Sequence, residues 1–95
     1  MSTSGLLDAA IISDFGITAV HELRRVVEFE LHAQQLRLEI LYWHSNPKCP
    51  WVAQMLRRDG AFKPWIPWEE FPWVEERDEE TAIRTALGFA DERTR

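Results

Sequence analysis

The chain has 95 residues, 45% hydrophobic and 28% charged, with a formal net charge of −5. That length supports one domain with a modest core, and the acidic balance disfavours a sequence-independent nucleic-acid surface, which needs clustered Lys and Arg to displace counterions. One cysteine, Cys49, excludes an intrachain disulfide and suits a reducing compartment.

The start, "MSTSGLLDAAIISDFG", has no basic region ahead of its apolar run, and acids interrupt it, so no secretory signal is expected. No run approaches the roughly 20 apolar residues that a membrane-spanning helix requires. Gly5 to Ser13 reads as a short helix stopped around Asp14-Phe15-Gly16. Residues 1–17 are therefore expected to form an N-terminal segment with a short helix, and 18–95 a single helical domain.

Thr18 reads as the N-cap of one long helix running to about Trp43 or His44, because no Gly or Pro interrupts it. On a helical projection, Val26, Phe29, Ala33, Leu36, Ile40 and Trp43 form one apolar stripe. Val20, Leu23, Val27, Leu31, Leu38 and Leu41 form a second. Two stripes predict a helix covered on two sides, by the chain's own helices or by another chain. Phe29, Leu31, Leu36, Leu38, Ile40 and Trp43 are accordingly the candidates for a homo-oligomer interface, since so short a chain has little else to cover both.

The "SNPKCP" stretch breaks the chain, and Pro50 suits the first turn of a second helix, about 50 to 59, ended by Gly60. Next comes "FKPWIPWEEFPW", Phe62 to Trp73, holding three of the five Trp and three of the five Pro. Its prolines fix their own φ and push the preceding residues toward extended geometry, with room for one helical turn around Pro67–Phe71. A last helix is expected from about Val74 to Leu87, with Gly88 as its stop. With no two-residue alternation recognised, the expected fold is all-α: one long central helix, two or three shorter helices and a Pro/Trp-rich connection.

Little in the chain points to catalysis. Glu28 and His32, four apart, read as decoration of an exposed helix face. His21, His44 and Cys49 lack the spacing of a zinc site, and Cys49 has no base or oxyanion group in sight. No glycine-rich phosphate loop or Gly-x-Ser-x-Gly is present. No catalytic residue, cofactor or metal is expected. A helix-turn-helix reading of "PWVAQMLRR" offers Gln54, Arg57 and Arg58 to DNA, but the region from Glu69 to Glu80 carries seven acids against Arg77.

The aromatic-proline segment is either a lid on the core or a partner-binding surface, because Trp is over-represented among binding hot spots. Its candidate contact residues are Trp65, Trp68, Phe71 and Trp73, with Glu75, Glu76 and Arg77 as a charged rim. Trp65, Trp68, then Pro72-Trp73-Val74-Glu75-Glu76-Arg77, with Ala82 and Ala86 beyond, resemble a motif of the phage tail assembly chaperone and minor tail protein T-like family. That motif has a Trp, a further aromatic, Pro-aromatic-Gly, an acidic pair with Arg, and an Ala- and Arg-rich helix. The likeness covers about residues 65 to 87, with Val74 where the family has Gly and Thr81 where it has Arg. Trp65, Trp68, Pro72, Trp73 and Arg77 carry over as motif positions.

The resemblance implies a small helical protein of the host-cell cytoplasm that contacts tail tube or tape measure proteins, with no cofactor and no catalytic residue. The expected function is thus a non-catalytic phage tail assembly chaperone or minor tail protein, without nucleic-acid or membrane partners. The alternatives are a small phage- or prokaryote-encoded inhibitor or adaptor that binds a host protein through an acidic, Trp-rich face, and a helix-turn-helix DNA-binding regulator.

Overall fold

Leu36, Leu38 and Ile40 are buried and alternate with the half-buried Arg37 and Glu39, the signature of a strand with one face in the core. The computed structural model describes residues 7–18 and 20–95 and is built around that strand. Its elements are α1 (Ala9–Phe15), β1 (His21–Leu31), β2 (Gln34–Trp43), β3 (Trp51–Arg58), β4 (Ile66–Pro67), β5 (Val74–Glu76) and α2 (Glu79–Thr94). The sheet is antiparallel throughout. β1, β2 and β3 lie side by side in chain order. The far edge of β3 is shared by β4, opposite Leu56 and Arg57, and by β5, opposite Trp51 to Ala53.

The fold is therefore not all-α, and the long helix expected over residues 18–44 is a β-hairpin. Its two-residue turn is His32-Ala33, with φ of 50° and 67°, between the paired Leu31 and Gln34. Positive φ at both turn residues matches the right-handed twist of the strands, but the usual signal for it is Asn-Gly or Asp-Gly. Without that signal the two strands run together in sequence. Apolar residues at spacings of two and four, such as Leu36, Leu38 and Ile40, then project as helical stripes. Thr18 caps nothing and lies in exposed coil.

The helix expected over 50–59 is β3, whose Val52, Ala53 and Met55 are buried, so the helix-turn-helix reading has no recognition helix. Val74 to Glu76, expected to open the last helix, form β5 instead. That helix starts at Glu79, and Gly88 lies inside it. Its N-cap is Asp78, whose carboxylate accepts a 2.8 Å hydrogen bond from the Thr81 N–H and is thereby held below the ordinary carboxylate range. The short N-terminal helix runs from Asp8, its N-cap, to Gly16, which ends it in the left-handed conformation at φ 66°. The expected start at Gly5 lies outside the described residues.

Along α2, Ala82, Ala86 and Ala90 are fully buried and four residues apart, so one narrow face of small side chains lies close on the sheet. Beneath it are Leu36, Leu38, Ile40, Ala53 and Met55, joined by Trp68 and Val74. Burying each of the larger aliphatic side chains contributes about 2 kcal/mol. Two contacts tie the ends of the helix to the hairpin: the Arg25–Glu79 ion pair at 2.6 Å and the His32–Asp91 hydrogen bond at 2.8 Å. The opposite face of the sheet is polar through its middle, where Arg37 bridges Glu28 and Glu39, Gln54 donates to Glu39, and Arg58 donates to Gln35. Among the described residues, α1 packs against no other element, and the whole measures 47 × 28 × 22 Å.

Candidate protein-binding surface

The segment Phe62–Trp73 has no long element of its own, and its prolines and rings are placed by the edge of β3. Phe62 projects fully into solvent. The Trp65 ring is half-buried beneath the Arg58 guanidinium, 4.3 Å from its centroid. Ile66 and Pro67 pair with Arg57 and Leu56, after which the Trp68 N–H donates to the Met55 carbonyl at 3.0 Å. That bond turns the Trp68 side chain into the core, where it is 7% exposed and meets Phe89 of α2 edge to face at 5.5 Å. A tight turn follows, closed by the Phe71 N–H on the Trp68 carbonyl. Phe71 completes a three-ring cluster with Trp68 and Phe89.

Trp73 behaves differently. The next residue, Val74, pairs with Ala53 on the helix side of the sheet. Side chains alternate along a strand, so Trp73 leaves on the opposite face, together with Val52. It remains 62% exposed, yet its ring stands edge to face with Trp43 at 5.3 Å, and Trp43 in turn meets His21 at 5.8 Å. Between β4 and β5 the edge of β3 is left open at Gln54. A pocket of about 340 Å³ lies there, lined by Gln54, Pro67, Trp68, Pro72 and Trp73 among others.

The acidic run around this surface is largely engaged within the chain. Glu75 accepts from Asn46, Glu76 from Thr85, Glu79 from Arg25 and Glu80 from Arg84, while Glu70 lies 3.5 Å from Arg93. Arg77 is exposed. Of the residues expected to contact a partner, Trp73 and Arg77 are exposed, Trp65, Phe71, Glu75 and Glu76 are half-buried, and Trp68 belongs to the core.

The residues read from sequence as an oligomer interface divide in the same way. Leu36, Leu38 and Ile40 are buried inside the chain, Phe29 and Leu31 pack partly against that core, and Trp43 lies on the far face beside Trp73. Trp43 was read as an oligomer-interface residue and Gln54 as a DNA contact, and neither they nor His21 were read as neighbours of Trp73. Only the register of β2 with β1 and β3, which follows from the unrecognised strand alternation, brings them to this surface.

Among the described residues, no three His, Cys, Asp or Glu side chains converge as metal ligands. His32 is bonded to Asp91 and His44 to Glu22, so Glu28 and His32 do not form a couple. Cys49 is a half-buried free thiol. No described helix is long and apolar enough to cross a membrane. No family model, curated protein or solved structure matches the chain.

Proposed function

We propose that this protein is a non-catalytic assembly or adaptor protein that holds a protein partner on the Trp73 surface. The observation that carries the reading is Trp73 itself, a large ring 62% exposed and braced by Trp43 at the mouth of a pocket with two prolines. A braced ring loses little conformational freedom on binding, which is what makes Trp effective as an anchor. Gln54 in the pocket wall adds hydrogen-bonding groups that can fix the orientation of a bound segment.

Phage tail assembly is the specific setting that the resemblance implies. Trp68, Ala82 and Ala86 of that pattern, and Val74 at its departure, lie in the core, which leaves Trp73, Arg77 and the half-buried Trp65 to express any shared binding role. The test is co-purification with tail tube and tape measure proteins from cells producing a long-tailed phage, using wild type and Trp73→Ala. Retention of either protein by wild type and its loss in the variant supports the setting. Equal retention by both would move the contact away from Trp73, and retention of neither protein removes the setting. Binding at the Trp73 surface should change little with salt, whereas DNA binding would fall steeply.

A further inference from the structure

We propose that a second copy of this chain docks on the free edge of β1, joining the two sheets into one antiparallel sheet across a two-fold axis near Val26 and Val27. In the protomer β1 pairs only with β2, so among the described residues its outer edge carries no strand along eleven residues. Such an edge is a ready template for another strand unless it is short, covered or broken. The bulge at Arg24 breaks the near end alone, and Arg25 to Leu31 run in regular register.

Three further observations select a copy of the same chain as the occupant. The first is where the exposed apolar side chains gather. Leu23, Val26, Val27 and Leu87 are four of the nine large hydrophobics exposed among the described residues; Val27 and Leu87 stand on the helix side of the sheet and Leu23 and Val26 on the other, so the β1 edge carries uncovered apolar side chains on both faces. The second is the groove between β1 and α2, about 430 Å³, with Val26, Val27, Phe29, Ile40, Ile83 and Leu87 in its wall. The helix lies over β2, β3 and β5 and scarcely covers β1, so this end of the core is open on the side where β1 has its free edge. A two-fold through the Val27 pair sets the two grooves side by side, and each chain closes the other's.

The third is the charge order along the strand. After Glu22, which is bonded to His44, Arg24 and Arg25 precede the two valines, and Glu28 and Glu30 follow them. An antiparallel copy brings the basic half of each strand beside the acidic half of the other, an arrangement that a two-fold satisfies twice. A parallel copy would align like charges. Arg24 already lies over the Tyr42 ring, and Arg25 and Glu28 are paired within the protomer with Glu79 and Arg37, so the complementarity steers approach and register, and the apolar centre supplies the stability.

The test uses the full chain. Light scattering at micromolar concentration should give twice the protomer mass. Val27→Cys in a Cys49→Ser background should form a disulfide-linked dimer on mild oxidation, because residues beside the axis face their own copies. Ile66→Cys, exposed on β4 at the opposite edge of the sheet, should not. Val27→Asp should give a monomer whose circular dichroism and melting cooperativity match those of wild type. If Val27→Asp unfolds, the cysteine pair still decides the matter. A monomeric wild type, or equal cross-linking at both cysteine positions, overturns the proposal. So does a dimer that survives Val27→Asp but is lost on removal of residues 1–17, since that would assign the groove to α1 of the partner.

Discussion

Trp43 on β2 and Trp73, just ahead of β5, meet edge to face with ring centroids 5.3 Å apart, a contact made over β3, which separates their strands. Trp73 is thus an exposed ring with a fixed orientation, whereas Trp68, five residues earlier, is sealed beneath α2. Their substitutions should separate cleanly. Trp68→Ala should destabilise the fold by about 3–5 kcal/mol, as truncation of a core aromatic does. Trp73→Ala should cost about 1 kcal/mol at most, the scale of one aromatic pair, while weakening partner binding by about 2 kcal/mol or more. Urea melts and a binding isotherm would measure the two effects.

The alanine face of α2 leaves no room for larger groups. Ala86 is fully buried over the sheet, so Ala86→Leu should cost at least about 1–3 kcal/mol through forced displacement of the helix. Glu92→Leu, on the exposed side of the same helix, should stay within about 0.5 kcal/mol. Chemical denaturation of Ala86→Leu and Glu92→Leu checks the comparison.

The hairpin turn is strained in a way that one substitution relieves. Ala33 holds φ at 67°, a conformation disfavoured by roughly 1–2 kcal/mol for a residue with a Cβ. Ala33→Gly removes that penalty and returns part of it as chain entropy. The net expectation is a gain of about 0.5–1 kcal/mol, read as a higher urea midpoint at unchanged slope.

Two carboxylates govern the acid limb. Asp78 is held below its ordinary value by the Thr81 N–H, and Asp91 by Arg95 first and then His32. A carboxylate lowered in the folded state binds its proton more readily when unfolded. Its contribution is therefore complete above the unfolded value of about 3.9 and is lost as pH falls through the lower folded value. Stability should drop below about pH 4, and Asp78→Asn, which keeps an N-cap without a titrating group, should flatten part of that drop. Urea midpoints measured across acid pH test this.

The sequence showed some of this fold and hid the rest for identifiable reasons. Gly16 ends α1 where the Asp14-Phe15-Gly16 stop was read, because a left-handed cap needs a residue of glycine's kind. A C-terminal helix was legible, although Asp78, its real N-cap, lies within an acidic run that was read as helix already begun. The β1–β2 hairpin was misread because its turn uses His32 and Ala33, which carry no turn signal. Strand alternation was present in "LRLEIL", but Leu36 and Ile40 are four apart in either reading. On the surface, Trp73 was identifiable from Pro72 and composition. Trp43 was read as an interface residue on a helical stripe, and its place beside Trp73 was not legible, since that depends on register between strands and on nothing local.

The alanine stripe of α2 has a mechanical consequence. Ala82, Ala86 and Ala90 repeat every four residues, so a slide of about 6 Å, four residues at about 1.5 Å rise, sets alanine over the sites that alanine has just left. The interface is smooth along its axis, and a smooth interface cannot choose its own position. Position is chosen at the ends, by Glu79 on Arg25 and Asp91 on His32, which act as stops on a rail. Removing both stops together, with Glu79→Ala and Asp91→Ala, should leave the helix formed but free to sample neighbouring registers. Relaxation-dispersion NMR would then show microsecond-to-millisecond exchange at Leu36, Leu38 and Ile40. Sharp, unexchanging signals there would mean that Phe89, locked among Trp68 and Phe71, is enough to hold the register alone.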